Sequence, residues 1–390
     1  MLVAFETHPI QYHAPVFRSL QEEHGVPVTA IYGSDFSLSG YEDKGFGEKF
    51  AWDVNLLSGY QSIFLSRVDN GGARSVEKVS AKGLGRTLEK TSARAVLVCG
   101  YGHSFHRTGL RLARRTRLPI LYRAEARDHG HSRGLARRVV RDAVLRVLYR
   151  QCAGLLYIGE ESRRHYRRLG VSDDRLTFSP YCVDLSEMTC DESARNHLRP
   201  QTRQALGIAP SNIVLLFSGK LIAVKRPDLL LHAIKMLRRE LRQEISAVFL
   251  GSGEMKGVLQ NLSLQEPSLS VVFPGFKNQR ELSPYYHAAD LLVLPSKSET
   301  WGLVVNEALH HGLPCVVSRA VGCAPDLIEP GESGEIFDTH SLESLAQSIE
   351  RALRLVDRAE IREICRQKAA GYNVTRAAAG IAQAYRSVIN

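Results

Sequence analysis

The chain lacks any long hydrophobic run. No stretch approaches the roughly eighteen consecutive apolar residues that a membrane-spanning helix needs, and the opening MLVAFETHPIQYHAPVF has neither the basic start nor the apolar middle of a secretory leader. A cytoplasmic location is therefore expected. Cysteine is sparse: Cys99, Cys152, Cys182, Cys190, Cys315, Cys323 and Cys365 are odd in number and include no Cys-x-x-Cys pair, so neither a disulfide framework nor a zinc site is encoded. No Asp-x-Asp metal motif occurs. Short-period repeats and low-complexity stretches are also missing, which excludes solenoids and disordered arrays.

What is present is an ordinary globular composition. The 390 residues are 44% apolar and 24% charged, enough for two cores of common domain size. Fifty-one Lys and Arg against forty-one Asp and Glu leave a net charge of +10, and much of the excess is local. Thirteen arginines fall between Arg107 and Arg150. Such a field invites an anionic partner, whether phospholipid, phosphorylated acceptor or nucleic acid; the plainer reading is a solvated arginine-rich helix face.

Apolar runs alternate with helical periodicity along the whole chain. Leu2–Phe5, Val26–Tyr32, Ala95–Cys99, Leu118–Tyr122 and Gly154–Ile158 read as strands, with helices over Thr108–Arg117, Leu135–Gln151 and Glu160–Leu169. Gly33 to Gly72 reads as irregular. The pattern restarts at Ile213–Ser218 and continues through a Pro227–Glu240 helix, strands at Ser246–Leu250, Val271–Phe273, Leu291–Leu294 and Pro314–Ser318, and helices at Gly302–His310 and Leu342–Val356. Pro180, Pro200 and Pro210 interrupt the alternation between the two series. This predicts an α/β protein of two Rossmann-like, doubly wound parallel-sheet domains facing a central cleft, residues 1–185 and 186–372, with a helix over 373–390 crossing back toward the first. Such domains normally bind a nucleotide at the strand carboxyl ends of at least one of the two.

Three segments of the second half carry chemistry. Gly219-Lys220-Leu221 ends a strand, and Lys225-Arg226-Pro227 opens a helix, so three cations gather near a positive helix end and suit a diphosphate; Lys and Arg in a loop are otherwise simply solvated. Gly251-Ser252-Gly253-Glu254 lets a ligand approach the backbone, but it lacks the full Gly-x-Gly-x-x-Gly spacing and the acidic residue about twenty positions on that a nicotinamide site requires. In Ser298-Glu299-Thr300-Trp301-Gly302-Leu303-Val304-Val305-Asn306-Glu307 two glutamates flank a helix start, where exposed amides can hold phosphate and carboxylates can accept sugar hydroxyls. Glu307 as a helix-surface charge and Glu299 as a cap are the bland alternatives.

These segments, with Phe273-Pro274-Gly275-Phe276, Ala288-Ala289-Asp290, His311-Gly312-Leu313-Pro314 and Gly331-Glu332-Ser333-Gly334, make the chain resemble the retaining glycosyltransferases of family 4, with the GT-B architecture. The resemblance runs over Ile213 to Phe337; before residue 180 it is confined to strand alternation, Gly159-Glu160-Glu161-Ser162 and, at the junction, Pro180-Tyr181-Cys182-Val183-Asp184. It implies that the first domain binds the acceptor and the second the nucleotide-sugar donor, that Glu307 binds the ribose of a sugar nucleotide, Glu299 a hydroxyl of the transferred sugar, and Lys220 and Lys225 the diphosphate. Gly219, Arg226, Gly251, Gly253, Glu254 and Thr300 would line the donor, the backbone of Trp301, Gly302, Leu303 and Val304 would face phosphate, and the Phe276 loop would meet the base. Lys220 stands where many members have arginine, replacing a bidentate contact by a point charge.

The first half departs from the family. Its first loop reads Glu6-Thr7-His8-Pro9-Ile10-Gln11-Tyr12-His13 where a glycine pair is usual. Where members often place a histidine near the donor sugar, this chain has Leu121-Tyr122-Arg123-Ala124-Glu125-Ala126-Arg127-Asp128-His129. Glu125 or Arg123 can occupy that place; His8, His13, His103 and His129 are rivals, each with a structural role as the alternative. His13 and Glu125 join Glu299, Lys220 and Lys225 as catalytic candidates.

Transfer with retention passes through an oxocarbenium-like state while negative charge grows on the leaving phosphate, and fixed cations and helix amides stabilise it there. With lysines in that role neither a metal nor another cofactor is expected. The co-substrate expected is a uridine diphosphate sugar and the acceptor a hydroxyl on a glycan, a lipid-linked species or a small molecule. The competing class is a membrane- or nucleic-acid-binding protein on the same scaffold, nucleic acid being the less favoured. In that version Arg133–Arg150 forms the working surface, with Arg133, Arg137, Arg141 and Arg146 near one helical face and Leu135, Val139, Val144 and Leu148 elsewhere. A phosphorylase or epimerase finds no matching pattern.

Overall fold

The structure, a computed structural model, describes residues 1–43, 45, 47–128, 134–356 and 358–389. His129 and Arg133 lie outside the described residues. The chain divides into two units. One comprises Met1–Tyr41, Phe50–Asp184 and Tyr372–Asn390; the other comprises Leu185–Gly371 with the short Glu42–Lys49 segment.

The first unit is built on strands β1 (Leu2–Glu6), β2 (Val28–Tyr32), β5 (Gln61–Phe64), β6 (Ala95–Val98), β7 (Ile120–Arg123), β8 (Gly154–Tyr157) and β9 (Leu176–Phe178). They form a parallel sheet in the order β5-β2-β1-β6-β7-β8-β9; β3 (Tyr41–Asp43) and β4 (Glu48–Phe50) pair separately. Every residue of β1 and β2 is buried, as a parallel strand covered on both faces requires. Alternate residues of β1 serve opposite layers: Leu2 and Ala4 pack with Phe17 and Ile381, Val3 and Phe5 with Phe105 and Tyr149. The last helix, Val374–Ile389, belongs to this unit. Ser179 Oγ donates to Ala377 O at 2.9 Å, and a Cβ on Gly380 would stand 1.9 Å from Phe178 O.

The second unit repeats the plan. Strands β10 (Ile213–Ser218), β11 (Ile245–Leu250), β12 (Ser270–Gly275), β13 (Leu291–Leu294), β14 (Cys315–Ser318) and β15 (Gly334–Phe337) lie parallel in the order β12-β11-β10-β13-β14-β15. Leu215 and Phe217 of β10 pack against Leu230, Leu231 and Ile234 of the Asp228–Met236 helix. Two doubly wound parallel sheets are the expected fold class.

Several elements differ from the periodicity reading. The segment read as irregular contains β5, and β9 and β15 are further strands; all three are short, and only their pairing makes them strands. The Pro-interrupted stretch is a helix, Glu192–Ala205, with Pro200 inside it. Tertiary contacts override that breaker: Arg199 and Arg203 reach across to Asp290, at 2.5 and 2.6 Å, and Arg199 also takes the carbonyls of His287, Ala288 and Ala289 at the end of the Ser283–Ala288 helix. Asp290 in addition accepts from the Val214 amide at 2.7 Å, so the Ala288-Ala289-Asp290 motif anchors the sheet. The expected Pro227–Glu240 helix ends at Met236, with a separate turn over Arg239–Gln243.

The Leu135–Gln151 helix also divides differently. Arg141 faces the carboxylates of Asp128 and Asp142, which are themselves held by Arg168. Val139 and Val144 point outward with Val140 and Val147.

Candidate functional site

In an open parallel sheet, ligands meet the carboxyl ends of the strands where the strand order reverses. In the second unit that point lies between β10 and β13, whose ends carry Ser218-Gly219-Lys220 and Pro295-Ser296-Lys297-Ser298-Glu299. The loops are tied by their own backbone. Gly219 N–H donates to Leu250 O, Leu221 N–H to Ser252 O, Gly251 N–H to Gly275 O and Lys297 N–H to Val224 O, all at 2.8–2.9 Å. Two glycines permit this closeness. Gly251 has φ +140° and a Cβ there would sit 2.0 Å from Gly219 O; Gly253 has φ +151° and would meet Leu221 O at 2.5 Å.

Lys225 ends a short turn over Ala223–Lys225, and its Nζ lies 2.6 Å from Glu299 Oε2. Ser296 Oγ approaches the same oxygen at 3.4 Å. The two residues given separate tasks from sequence are thus one ion pair, each about one-sixth exposed, with side-chain values of 16% and 17%. Lys220 and Phe276 are half-buried, while Glu254 and Thr300 are exposed. Arg226 adopts φ +50° and turns its guanidinium to Asp228, 3.1 Å away.

Beyond Glu299 the chain enters the Leu303–His310 helix through Gly302, at φ +104°. Trp301 is buried and its Nε1–H donates to Asn306 Oδ1 at 2.8 Å, which pins the turn. Leu303 and Val304 open the helix, where N–H groups have no carbonyl of their own helix to bond, so the first turn is an anion-favouring end. Glu307 is buried on the next turn. Burial pushes its carboxyl up to about 7, against a hydrogen bond from Tyr286 and the charge of Lys225. Tyr286 was not singled out by sequence reasoning: its partner is twenty-one residues away, and no spacing rule links them. His311 supports the pair from behind. Its ring stacks on Tyr286 at 5.0 Å, Nδ1 lies 2.7 Å from Glu307 O and Nε2 2.9 Å from Ser283 Oγ. A carbonyl only accepts, so Nδ1 carries the proton; burial pushes this imidazole down to about 3 and keeps it neutral.

The first unit has its own cluster at the corresponding reversal, between β1 and β6. His13 Nδ1 lies 2.8 Å from Glu6 Oε1, both buried. Burial raises the Glu6 carboxyl, but the charge and hydrogen bond of His13 outweigh it and the carboxyl ends below its ordinary value. Glu6, His13 and Cys99 bring ligand-type atoms within 4.8 Å of one another. Burial holds the Cys99 thiol far above its ordinary pKa. Glu6 was missed because it closes an apolar strand, where a carboxylate looks like a strand end.

The other first-unit candidates are placed as follows. His8 packs its ring 4.5 Å from Phe36, bonds Thr7 Oγ1 through Nδ1 at 2.9 Å, and is pushed down to about 4 by burial. His103 caps the Ser104–Arg115 helix, accepting from Phe105 N–H at 3.1 Å. Arg123 is buried and staples the end of β7 to the loop after β9 through Ser179 Oγ and Pro180 O, at 3.0 and 2.7 Å. Glu125 accepts from Tyr181 Oη at 2.5 Å.

Residues 199–371 match the family model of the glycosyl transferases group 1. Among curated proteins, the chain is 34% identical over 204 residues to D-inositol 3-phosphate glycosyltransferase 1 of Catenulispora acidiphila, covering 49% of this chain and 48% of that protein. It is 30% identical over 208 residues to the D-inositol 3-phosphate glycosyltransferase of Saccharomonospora viridis, covering 51% and 48%. The chain thus spans about half the length of the curated relatives it matches. Among solved structures, sucrose-phosphate synthase from Thermosynechococcus elongatus superposes with a TM-score of 0.72 at 16% identity, over 100% of this chain and 99% of that one. Anabaena Alr3699/HepE, solved in complex with UDP, gives 0.71 at 16% identity over 99% of each. At such identities these likenesses concern the fold.

Proposed function

We propose that the chain, whose residues 199–371 match the family model of the glycosyl transferases group 1, transfers a sugar from a uridine diphosphate donor to a hydroxyl acceptor, with retention at the anomeric carbon. The observation that carries this reading is the arrangement around one turn: the Lys225–Glu299 ion pair on one side of the Trp301–Val304 amides and the buried Glu307 on the other. Glu307 accepts the ribose hydroxyls. Lys225 exchanges Glu299 for the diphosphate when donor arrives, which frees Glu299 for a hydroxyl of the transferred sugar. Lys220 and the helix amides meet the leaving phosphate, where charge grows as the glycosidic bond breaks. The acceptor oxygen attacks the face the diphosphate leaves, and its proton passes to a departing phosphate oxygen.

His13 and Glu125 are assigned as catalytic residues of the first unit, with His8, His103, Arg123 and His129 on the acceptor side, and the reaction proceeds in the cytoplasm without a metal. The cations of the site support that last point, and chelation tests it: turnover of purified protein in EDTA should match untreated enzyme, and its abolition would reject the metal-free account. The reading as a whole is tested by calorimetric titration with UDP and by hydrolysis of UDP-sugars. Wild-type protein should bind and slowly hydrolyse one of them, and Glu307→Ala should abolish both at an unchanged fold. Binding that survives Glu307→Ala overturns the donor assignment.

A further inference from the structure

The Leu135–Gln151 helix presents an inverted surface. Its buried side carries Leu145 and Tyr149, whereas Val139, Val140, Val144 and Val147 are 65%, 64%, 56% and 54% exposed. At 100° per residue these four valines and exposed Ala143 occupy a sector of about 140° on the solvent side. Arg137 and Arg146 border the sector and Arg150 ends it. The helix has a single acidic residue, Asp142, which is buried under Arg168, so the outward face has no negative charge.

A second feature continues this face. The C-terminal end of the helix adjoins an open depression lined by Arg114, Arg117, Pro119, Arg150 and Gln151. Arg114, Arg117, Arg137, Arg146 and Arg150 have no carboxylate partner among the described residues. An exposed apolar stripe is unfavourable in water, and with solvated guanidinium groups beside it the face matches a surface that is anionic outside and apolar within. Nucleic acid would engage the arginines and leave the valines wet. A protein partner of ordinary interface composition would have no need for a cationic rim on every side.

We propose that this face, with the Arg114–Arg117–Arg150 depression at its end, seats the protein on an anionic lipid surface, the valines entering the boundary between headgroups and acyl chains and the arginines holding lipid phosphates. The inference concerns the first unit and does not rest on the sugar-transfer reading. Binding of this kind is reversible and weakens with salt.

The test is co-sedimentation of the full chain with vesicles of phosphatidylcholine alone or with about one-third phosphatidylglycerol. Wild-type protein should pellet with the anionic vesicles only. The combined Val139→Ser, Val140→Ser, Val144→Ser, Val147→Ser variant and the combined Arg137→Ser, Arg146→Ser, Arg150→Ser variant should each lose at least about tenfold in partitioning, with melting temperature and UDP binding unchanged. A tryptophan placed by Val144→Trp should shift its emission to the blue on adding anionic vesicles. Absence of vesicle binding, equal binding to neutral vesicles, or a serine variant that pellets like wild type overturns the proposal. Retention of duplex DNA by the wild type and the valine variant but not by the arginine variant also overturns it, in favour of a nucleic-acid surface.

Discussion

Tyr286 Oη lies 2.5 Å from Glu307 Oε2 and 3.2 Å from Ser218 Oγ. The phenol is fully buried and has one proton, which the shorter, charge-assisted contact takes. One carboxylate oxygen, Oε2, is thereby fixed by the protein; in the proposed donor site the other would meet the ligand. Loss of the phenol hydroxyl in Tyr286→Phe should weaken UDP binding about 5- to 30-fold, the equivalent of roughly 1–2 kcal/mol, with a much smaller effect on kcat. Titration calorimetry and steady-state kinetics separate the two; an equal fall in kcat at constant KM would contradict a positioning role.

The same carboxyl makes ligand binding pH-dependent. In the proposed donor site Glu307 would accept ribose hydroxyls as a carboxylate, and burial holds its pKa up to about 7, so UDP affinity should fall as pH drops through 7 and level off above 8. For stability the sign is opposite. An acid whose folded pKa is raised favours folding below its unfolded pKa, and that contribution disappears as pH rises through the folded value. Glu307→Gln should therefore stabilise the ligand-free protein at pH 8, by up to about 3 kcal/mol, and give no gain at pH 4. Urea unfolding at the two pH values checks this.

Lys225 is engaged with Glu299 at 2.6 Å while both remain partly exposed, so removing it costs little stability. Lys225→Met should lower kcat by about 10²–10³-fold, as expected for a cation aimed at developing charge, while the melting temperature moves by only a degree or two. A variant that loses activity only in parallel with its fold would argue for a structural lysine.

Gly251→Ala introduces a methyl 2.0 Å from Gly219 O at a left-handed φ. Both loops at the ends of β10 and β11 must move, and we expect a loss of about 2–4 kcal/mol with weakened UDP binding. Gly257→Ala meets open space in a helix and should be neutral or slightly stabilising. Paired unfolding curves decide it.

Arg203→Met leaves the buried Asp290 carboxylate with Arg199 alone on that side. Because Asp290 keeps Arg199 and the Val214 amide, the loss should be about 1–3 kcal/mol, below that of a buried charge left wholly unpaired, and chemical unfolding measures it.

Much of the candidate site was legible from sequence because it is local. Glu299, the Trp301-Gly302 turn and Glu307 lie in one strand–loop–helix passage, so periodicity alone puts both carboxylates at one end of a sheet. Lys225 was legible as a cation near a helix start but not as the partner of Glu299, seventy-four residues on. Tyr286 and Glu6 were hidden for a related reason: each works through a contact between elements, and neither residue type is unusual where it stands. In the fold, the central strands declared themselves as unbroken apolar runs, whereas β5, β9 and β15 take their identity from hydrogen bonds to a neighbour. Pro200 misled because a helix anchored by Arg199 and Arg203 to Asp290 tolerates a missing amide. The arginines between 107 and 150 were visible as a count; that Arg141 turns inward while four valines turn outward depends on which side of the helix the sheet covers.

The packing of Gly380 on the Phe178 carbonyl bears on the order in which the protein is made. The flank of β8 and β9 receives its cover only when residues 374–389 have left the ribosome, after the entire second sheet has been synthesised. A nascent chain must therefore hold Leu156 and its neighbours in an unfinished layer for the duration of nearly two hundred peptide bonds, and a protein cut after Gly371 would carry that bare flank permanently. The first sheet thus takes part of its cover from residues nearly two hundred positions beyond its own last strand.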